Sequence, residues 1–246
     1  MLFLQERIDE SIEILRQFEP PDGYYLAFSG GKDSMVLYAM AEQAGVKFDA
    51  HYHITSADPP ELVRFIRQHY PEVDMDRPEY TMWNLIPKKQ WPPTRVQRYC
   101  CEYLKEYGGQ GRIMLSGIRK TDSIRRRKTR AIRTCHKKGT TMISPLFNWC
   151  TEEIWEFIED KNLPYCELYN QGFARLGCVG CPMAGSDRQG MELQRWPKFR
   201  EAYLRAFARM LQERGKSGKE KIWNTAEEVM AWWLRESPSV KILEED

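Results

Sequence analysis

No apolar run in the 246 residues approaches membrane-spanning length. The first residues, Met1-Leu2-Phe3-Leu4-Gln5-Glu6-Arg7, turn polar and acidic at once and lack a secretory pattern. Histidine is scarce, and the four present, His51, His53, His69 and His136, show no metal-ligand spacing. There is no internal repeat, no low-complexity tract and no Walker A loop, whose first glycine stands well ahead of its Gly-Lys pair. No cysteine follows Cys181. These absences argue against a membrane partner and point to a cytoplasmic protein. In that compartment the seven cysteines are expected to serve as metal ligands or reactive thiols rather than disulfides.

What is present begins with Tyr24-Tyr25-Leu26-Ala27-Phe28-Ser29-Gly30-Gly31-Lys32-Asp33-Ser34. It reads as a buried strand breaking into a glycine-rich loop and then a helix. Adjacent glycines let consecutive N–H groups face one anion. Ser29 and Ser34 add hydroxyls, Lys32 adds a charge, and Asp33 can hold Mg²⁺ or cap the helix. A helix N-terminus aimed at the same point completes a phosphate cradle.

The formal charge of +2 conceals an asymmetry. Arg112 to Lys138 holds eleven Lys or Arg and one acid, Asp122; that is +10 in 27 residues, leaving −8 for the rest. Such a block is often a solvated face. Placed after a strand-like stretch, it favours anion binding, with nucleic acid as the expected partner.

Apolar spacing predicts helices over residues 6–18, 34–44, 60–68, 100–107, 151–160, 192–213 and 225–235. It predicts strands over 24–28, 48–54, 112–115 and 142–146, and an irregular Pro- and Trp-rich stretch from Val73. Alternating strands and helices imply an α/β fold, a doubly wound, mostly parallel sheet. Ligands then bind at the carboxyl ends of its strands. We expect residues 1–185 to form a nucleotide-binding domain that includes the ligand cysteines. Residues 186–246 should form a helical extension.

Cys100 and Cys101 are adjacent, and Cys178-Val179-Gly180-Cys181 is a Cys-x-x-Cys element. Alone, the latter suits a redox pair, half a zinc site or half a cluster site. Adjacent cysteines diverge and suit one tetrahedral zinc poorly, whereas the iron corners of a [4Fe–4S] cluster accept neighbouring thiolates. The cluster ranks first, zinc second, structural thiols third. Cys150 and Cys166 read as buried fillers. Cys135 lies beside His136 and Lys137, which favour its thiolate, and is a candidate sulfur carrier. Trp83 and Trp91 read as packing residues, with base stacking as the alternative.

SGGKDS resembles the pyrophosphate-binding loop of the adenine nucleotide α-hydrolases. These include ATP pyrophosphatases, tRNA thiolases and sulfonucleotide reductases. Cys-Cys with Cys-x-x-Cys resembles the iron–sulfur adenylyl-sulfate reductases. So do Ser116-Gly117-Ile118-Arg119-Lys120-Thr121-Asp122-Ser123, Ser144-Pro145-Leu146 with Trp149 and Thr151 to Trp155, and Leu163 to Phe173 leading into Gly177-Cys178. Together these resemble the phosphoadenosine-phosphosulfate reductase superfamily over roughly residues 20–185.

The resemblance implies an adenine nucleotide on Ser29, Gly30, Gly31, Lys32, Asp33 and Ser34, with Gly117, Arg119 and Ser123 completing the site. Lys32, Asp33 and Arg119 would be catalytic, and Cys100, Cys101, Cys178 and Cys181 would hold a [4Fe–4S] cluster. Two departures bear on the branch. The reductases carry a nucleophilic cysteine in a Glu-Cys-Gly-(Ile/Leu)-His tail, absent after Cys181 here, and their loop is usually degraded where this one is intact. Both favour ATP with Mg²⁺, as in the enzymes of DNA phosphorothioate modification. Sulfur would then come from a cysteine desulfurase or another donor, and Arg125, Arg126 and Arg127 would hold a nucleic-acid phosphate. The alternatives are a reductase of adenylyl sulfate or its 3′-phosphate using an external thiol, and a non-catalytic binding subunit.

Overall fold

Strands and helices alternate as apolar spacing predicts, but the strands Asp74–Asp76 and Ile132–Cys135 and the helices Met82–Lys89 and Ile124–Arg127 do not follow from it; the helix Met82–Lys89, capped by Thr81, stands in the stretch expected to be irregular. The computed structural model describes residues 2–135 and 139–235. The elements are α1 (Leu2–Gln17), β1 (Tyr24–Ala27), α2 (Lys32–Ala44), β2 (Phe48–His53), α3 (Pro60–His69), β3 (Asp74–Asp76), α4 (Met82–Lys89), α5 (Tyr99–Leu104), β4 (Ile113–Leu115), α6 (Ile124–Arg127), β5 (Ile132–Cys135), β6 (Thr140–Ile143), α7 (Thr151–Asp160), α8 (Ser186–Arg195), α9 (Pro197–Lys216) and α10 (Ala226–Arg235). They form two compact units. The first holds the described residues of 1–53, 60–76 and 108–176, and the second those of 54–59, 77–107 and 177–246.

The first unit carries a six-stranded sheet in the order β3-β2-β1-β4-β6-β5. All pairings are parallel except β5 with β6. The order reverses between β1 and β4. Right-handed crossovers from such a reversal send helices to opposite faces and open a crevice at the strand ends. Ser29 and Ser116 follow the two strands that flank it. Leu26 and Leu115, both fully buried, register against each other there.

Helices α1, α2 and α7 pack together, and Leu15, Leu37, Met40, Ile154 and Phe157 on them are fully buried. Buried polar groups in this layer are paired: Trp149 Nε1 donates to Ser11 Oγ at 3.0 Å, and Ser11 Oγ donates to the Pro145 carbonyl at 3.1 Å. Helix α2 stops at Gly45, whose φ of 69° lets the last turn close. Helix α7 spans the residues expected, and its N-cap is Cys150: Cys150 Sγ accepts from Glu153 N at 3.4 Å, and Glu153 Oε2 accepts from Cys150 N at 2.6 Å. Cys150 is therefore a half-buried cap rather than a buried filler, whereas Cys166 is fully buried as expected.

The second unit is helical. Helix α9 contacts α4, α8 and α10. Its buried Tyr203, Ala206, Phe207, Met210 and Arg214 recur at helical spacing. Trp196 and Pro197 divide the predicted 192–213 helix into α8 and α9, because proline is welcome in a first turn but not in a helix interior. Trp83 packs 5.0 Å from Tyr203, and Trp91 packs 5.1 Å from Trp223, so both are packing residues.

Candidate functional site

The glycine-rich loop lies at the sheet's switch point, as its sequence implies. Gly30 has φ 68°, and a Cβ there would stand 2.7 Å from Ile66 Cδ1. It therefore turns the chain tightly against α3. Ser34 Oγ donates to the Gly31 carbonyl at 2.9 Å, accepts from Ser29 N at 3.2 Å and lies 3.1 Å from Ser29 Oγ. The hydroxyls thus brace the loop. Gly31, not Asp33, is the N-cap of α2. Asp33 sits in the first turn, where its carboxylate faces two cations: Lys32 Nζ is 3.3 Å from Oδ2, and Arg119 Nε is 2.8 Å from Oδ1. Lys32 and Arg119 are each only 3% exposed. Burial pushes the Lys32 ammonium below its ordinary value, against the pull of Asp33.

Gly117 permits this pairing. A Cβ there would meet the Asp33 carbonyl oxygen at 3.1 Å, a tight contact, so glycine favours the close approach of the loop after β4 to α2. Beyond Arg119, Asp122 gathers three guanidinium groups: Arg126 Nη1 at 2.5 Å, Arg175 Nη2 at 2.7 Å and Arg119 Nη2 at 3.6 Å. A cavity of about 310 Å³ opens between the loops, lined by Ser29, Gly31, Lys32, Asp33, Ser34, Ser116, Gly117, Asp122, Arg126, Tyr169 and Arg175 among others. Its lining cations Lys32, Arg126 and Arg175 face two lining carboxylates, Asp33 and Asp122. Arg119 adds a further positive charge at Asp33. Counting these groups together, the cavity's surroundings carry a net positive charge, which favours an anion.

Some predicted residues lie elsewhere. Gly30 packs against α3 rather than lining the cavity. Ser123 caps α6 by accepting from Arg126 N at 3.2 Å. Arg125 and Arg127 are exposed, and of that trio only Arg126 lines the cavity. The role of Tyr169 does not follow from motif reading. Its hydroxyl accepts from Lys32 N at 2.8 Å, burial raises it far above an ordinary phenol, and Trp155 stands against its ring at 5.1 Å. Asp122 and Arg175 are likewise members of the site that spacing alone does not reveal.

The second unit brings Cys100, Cys101, Cys178 and Cys181 into one electrostatic neighbourhood. Cys100 is raised by the hydrogen bond between its thiol and that of Cys101, then by burial, with Cys178 and Cys181 adding to it. Cys101 is lowered by that same bond and by Arg98, so it is the favoured thiolate. Burial pushes Cys181 up to about 11. Cys178 Sγ donates to Thr55 Oγ1 at 3.4 Å, and Thr55 Oγ1 donates to Asp58 Oδ1 at 2.7 Å. Lys105, exposed as a residue, is raised above its ordinary value, first through its charge interaction with Cys178.

Among the described residues no three His, Cys, Asp or Glu side chains converge closely enough to hold a single metal ion. The four thiols share this neighbourhood with Arg98 and Lys105, cations that would offset thiolate charge. His51 bridges Asp76 at 2.8 Å and Asp49 at 2.5 Å within the sheet and is structural. The side chain of Cys135, with His136 and Lys137, lies outside the described residues.

Residues 23–184 match the model of the phosphoadenosine phosphosulfate reductase domain. The chain is 27% identical over 195 residues to an adenosine 5′-phosphosulfate reductase of Staphylococcus haemolyticus, covering 72% of this chain and 78% of that protein. It is 26% identical over 185 residues to the one from Oceanobacillus iheyensis, covering 69% and 75%. In structure it is similar to the Candida auris phosphoadenylyl-sulfate reductase in a phosphate complex, with TM-score 0.54, 20% identity and coverage of 71% and 95%. It is also similar to Candida glabrata FMN adenylyltransferase bound to FMN and an ATP analogue, with TM-score 0.52, 21% identity and coverage of 72% and 64%. These structural likenesses establish the shared fold. With its domain match spanning most of the chain, the protein belongs to the phosphoadenosine phosphosulfate reductase family of enzymes.

Proposed function

We propose that the chain reduces an adenylyl sulfate, taking both electrons from an external dithiol. The observation that carries this reading is the cationic pocket at the switch point, inside the stretch that matches the reductase domain. The names of the relatives support the same substrate class. An external thiolate forms a bond to the sulfate sulfur while the sulfur–oxygen bond to the phosphate breaks, and AMP leaves with the electron pair. A second thiol of the same reductant then attacks the S-sulfonated sulfur, releasing sulfite and leaving a disulfide. Lys32 and Arg119 hold the phosphate oxygen on which charge develops. Tyr169 and the serine hydroxyls fix the loop that presents them. Cys100, Cys101, Cys178 and Cys181 would hold a [4Fe–4S] cluster, which when bound supplies redox capacity and local field. The external thiol accounts for the lack of any cysteine among residues 182–246.

A second reading draws on one specific observation, the intact SGGKDS loop with Arg125 and Arg127 exposed beside a cavity-lining Arg126. An ATP-dependent sulfur transfer to nucleic acid, with Mg²⁺ and a desulfurase-type donor, would use them. One anaerobic experiment separates the two. Incubated with adenylyl sulfate and a dithiol, the enzyme should yield sulfite and AMP in equal amounts. Incubated with ATP and Mg²⁺, it should release no pyrophosphate. Pyrophosphate without sulfite would reverse the assignment.

A further inference from the structure

The two residues between Cys178 and Cys181 are held by every polar main-chain group they possess. Val179 N donates to the Ala57 carbonyl at 2.7 Å. The Val179 carbonyl accepts from Tyr203 Oη at 2.9 Å. Gly180 N donates to Glu192 Oε2 at 2.8 Å, and the Gly180 carbonyl accepts from Gln189 Nε2 at 2.9 Å. Glu192 and Gln189 are one turn apart on α8, 3% and 0% exposed. Gly180 itself has φ 71°, and a Cβ there would stand 3.2 Å from Trp233. The loop is thus seated on α8, α9 and α10. Burying a carboxylate costs free energy unless it is matched. Here the atom Glu192 spends on the loop is distinct from the one it gives to Arg188 Nε, at 2.8 Å.

We propose that Glu192 and Gln189 are positioning residues that grip Gly180 from both sides and fix Cys178 and Cys181 as a preset pair of ligands. A thiol pair that cycles between dithiol and disulfide needs a loop free to change shape. A pair that holds a metal cluster gains from one that cannot. All the groups that fix this loop come from the chain's later helices and from residues 54–59.

The test uses the full-length, metal-free protein and reads thiol alkylation by iodoacetamide, residue by residue, with mass spectrometry. Glu192→Ala leaves the Gly180 N–H buried without a partner, which makes local opening about 10-fold or more frequent. Alkylation of Cys178 and Cys181 should rise by that factor, while Cys166 stays protected and Cys101 keeps its rate. Glu192→Gln retains an acceptor and should restore the slow rate; Gln189→Ala should behave as Glu192→Ala does. Rates at Cys178 and Cys181 within twofold of the parent in Glu192→Ala would overturn the proposal. So would a parallel rise at Cys101 and Cys166, which would mean general loosening. Iron content after anaerobic reconstitution forms a separate arm that rests on the cluster reading. An iron-free parent with the alkylation pattern intact would reject the cluster and leave the clamp standing.

Discussion

Replacing Lys32 by methionine should weaken binding while leaving stability nearly unchanged. Lys32 is almost wholly buried, and its ion-pair partner, Asp33, also faces Arg119. Removing the ammonium therefore leaves no carboxylate stranded, and methionine fills similar volume. We expect unfolding free energy to change by less than about 1 kcal/mol, since replacing a buried charge by an apolar group of like shape is often neutral or stabilising. Affinity for AMP should fall about 10- to 100-fold, the loss expected for one charge-assisted hydrogen bond of about 1.5–3 kcal/mol. Urea denaturation and calorimetric titration measure the two.

Lys32 also fixes the sign of a pH effect. Burial lowers it in the folded state, so the unfolded chain binds the extra proton, and its charge disfavours folding at neutral pH. That handicap fades as pH rises through the lowered folded value toward the unfolded value of about 10.5. Parent minus Lys32→Met stability should therefore increase over this alkaline range, and the subtraction removes the tyrosines shared by both proteins. The reasoning is refuted if Lys32→Met loses more than about 2 kcal/mol of stability, well beyond the expected near-neutral exchange. AMP affinity within twofold of the parent would refute it equally.

Gly30→Ala should destabilise the first unit by about 2–4 kcal/mol, combining a left-handed backbone with overpacking against Ile66 and Leu62; a urea midpoint unchanged from the parent would contradict this. Cys150→Ala removes the N-cap of α7 and should cost about 1 kcal/mol, whereas Cys150→Ser, which supplies a preferred capping hydroxyl, should match or exceed the parent in thermal unfolding.

The parts of this molecule legible in sequence are those where one residue type answers one local demand. Gly30 and Gly31 before Lys32 place the loop because backbone turns of this kind admit little else. The parallel α/β order follows from strands and helices in alternation. β3 and β5 escape notice because their residues, Asp74-Met75-Asp76 and Ile132-Arg133-Thr134-Cys135, are too short and too polar to show a period. They pair because β2 and β6 offer them an edge. The cap of α7 escapes notice because a cysteine seldom caps a helix. In this chain its sulfur lies where a serine oxygen would.

The remaining gap has a common physical cause. Tyr169 steadies the glycine-rich loop by accepting one N–H, and Gln189 and Glu192 steady the cysteine loop by holding one carbonyl and one N–H. A main-chain group asks only for an acceptor or donor at the right distance. It does not ask for a neighbour at a given spacing along the chain, so the supporting residue can come from any element that packs there. Residues that bear chemistry recur in short motifs because the ligand fixes their mutual geometry. Residues that hold those motifs still are constrained by the fold alone. The two loops thus illustrate one rule: the nearer a side chain acts to the reacting atoms, the more its position can be read from sequence, and the more it acts on backbone, the more it must be read from coordinates.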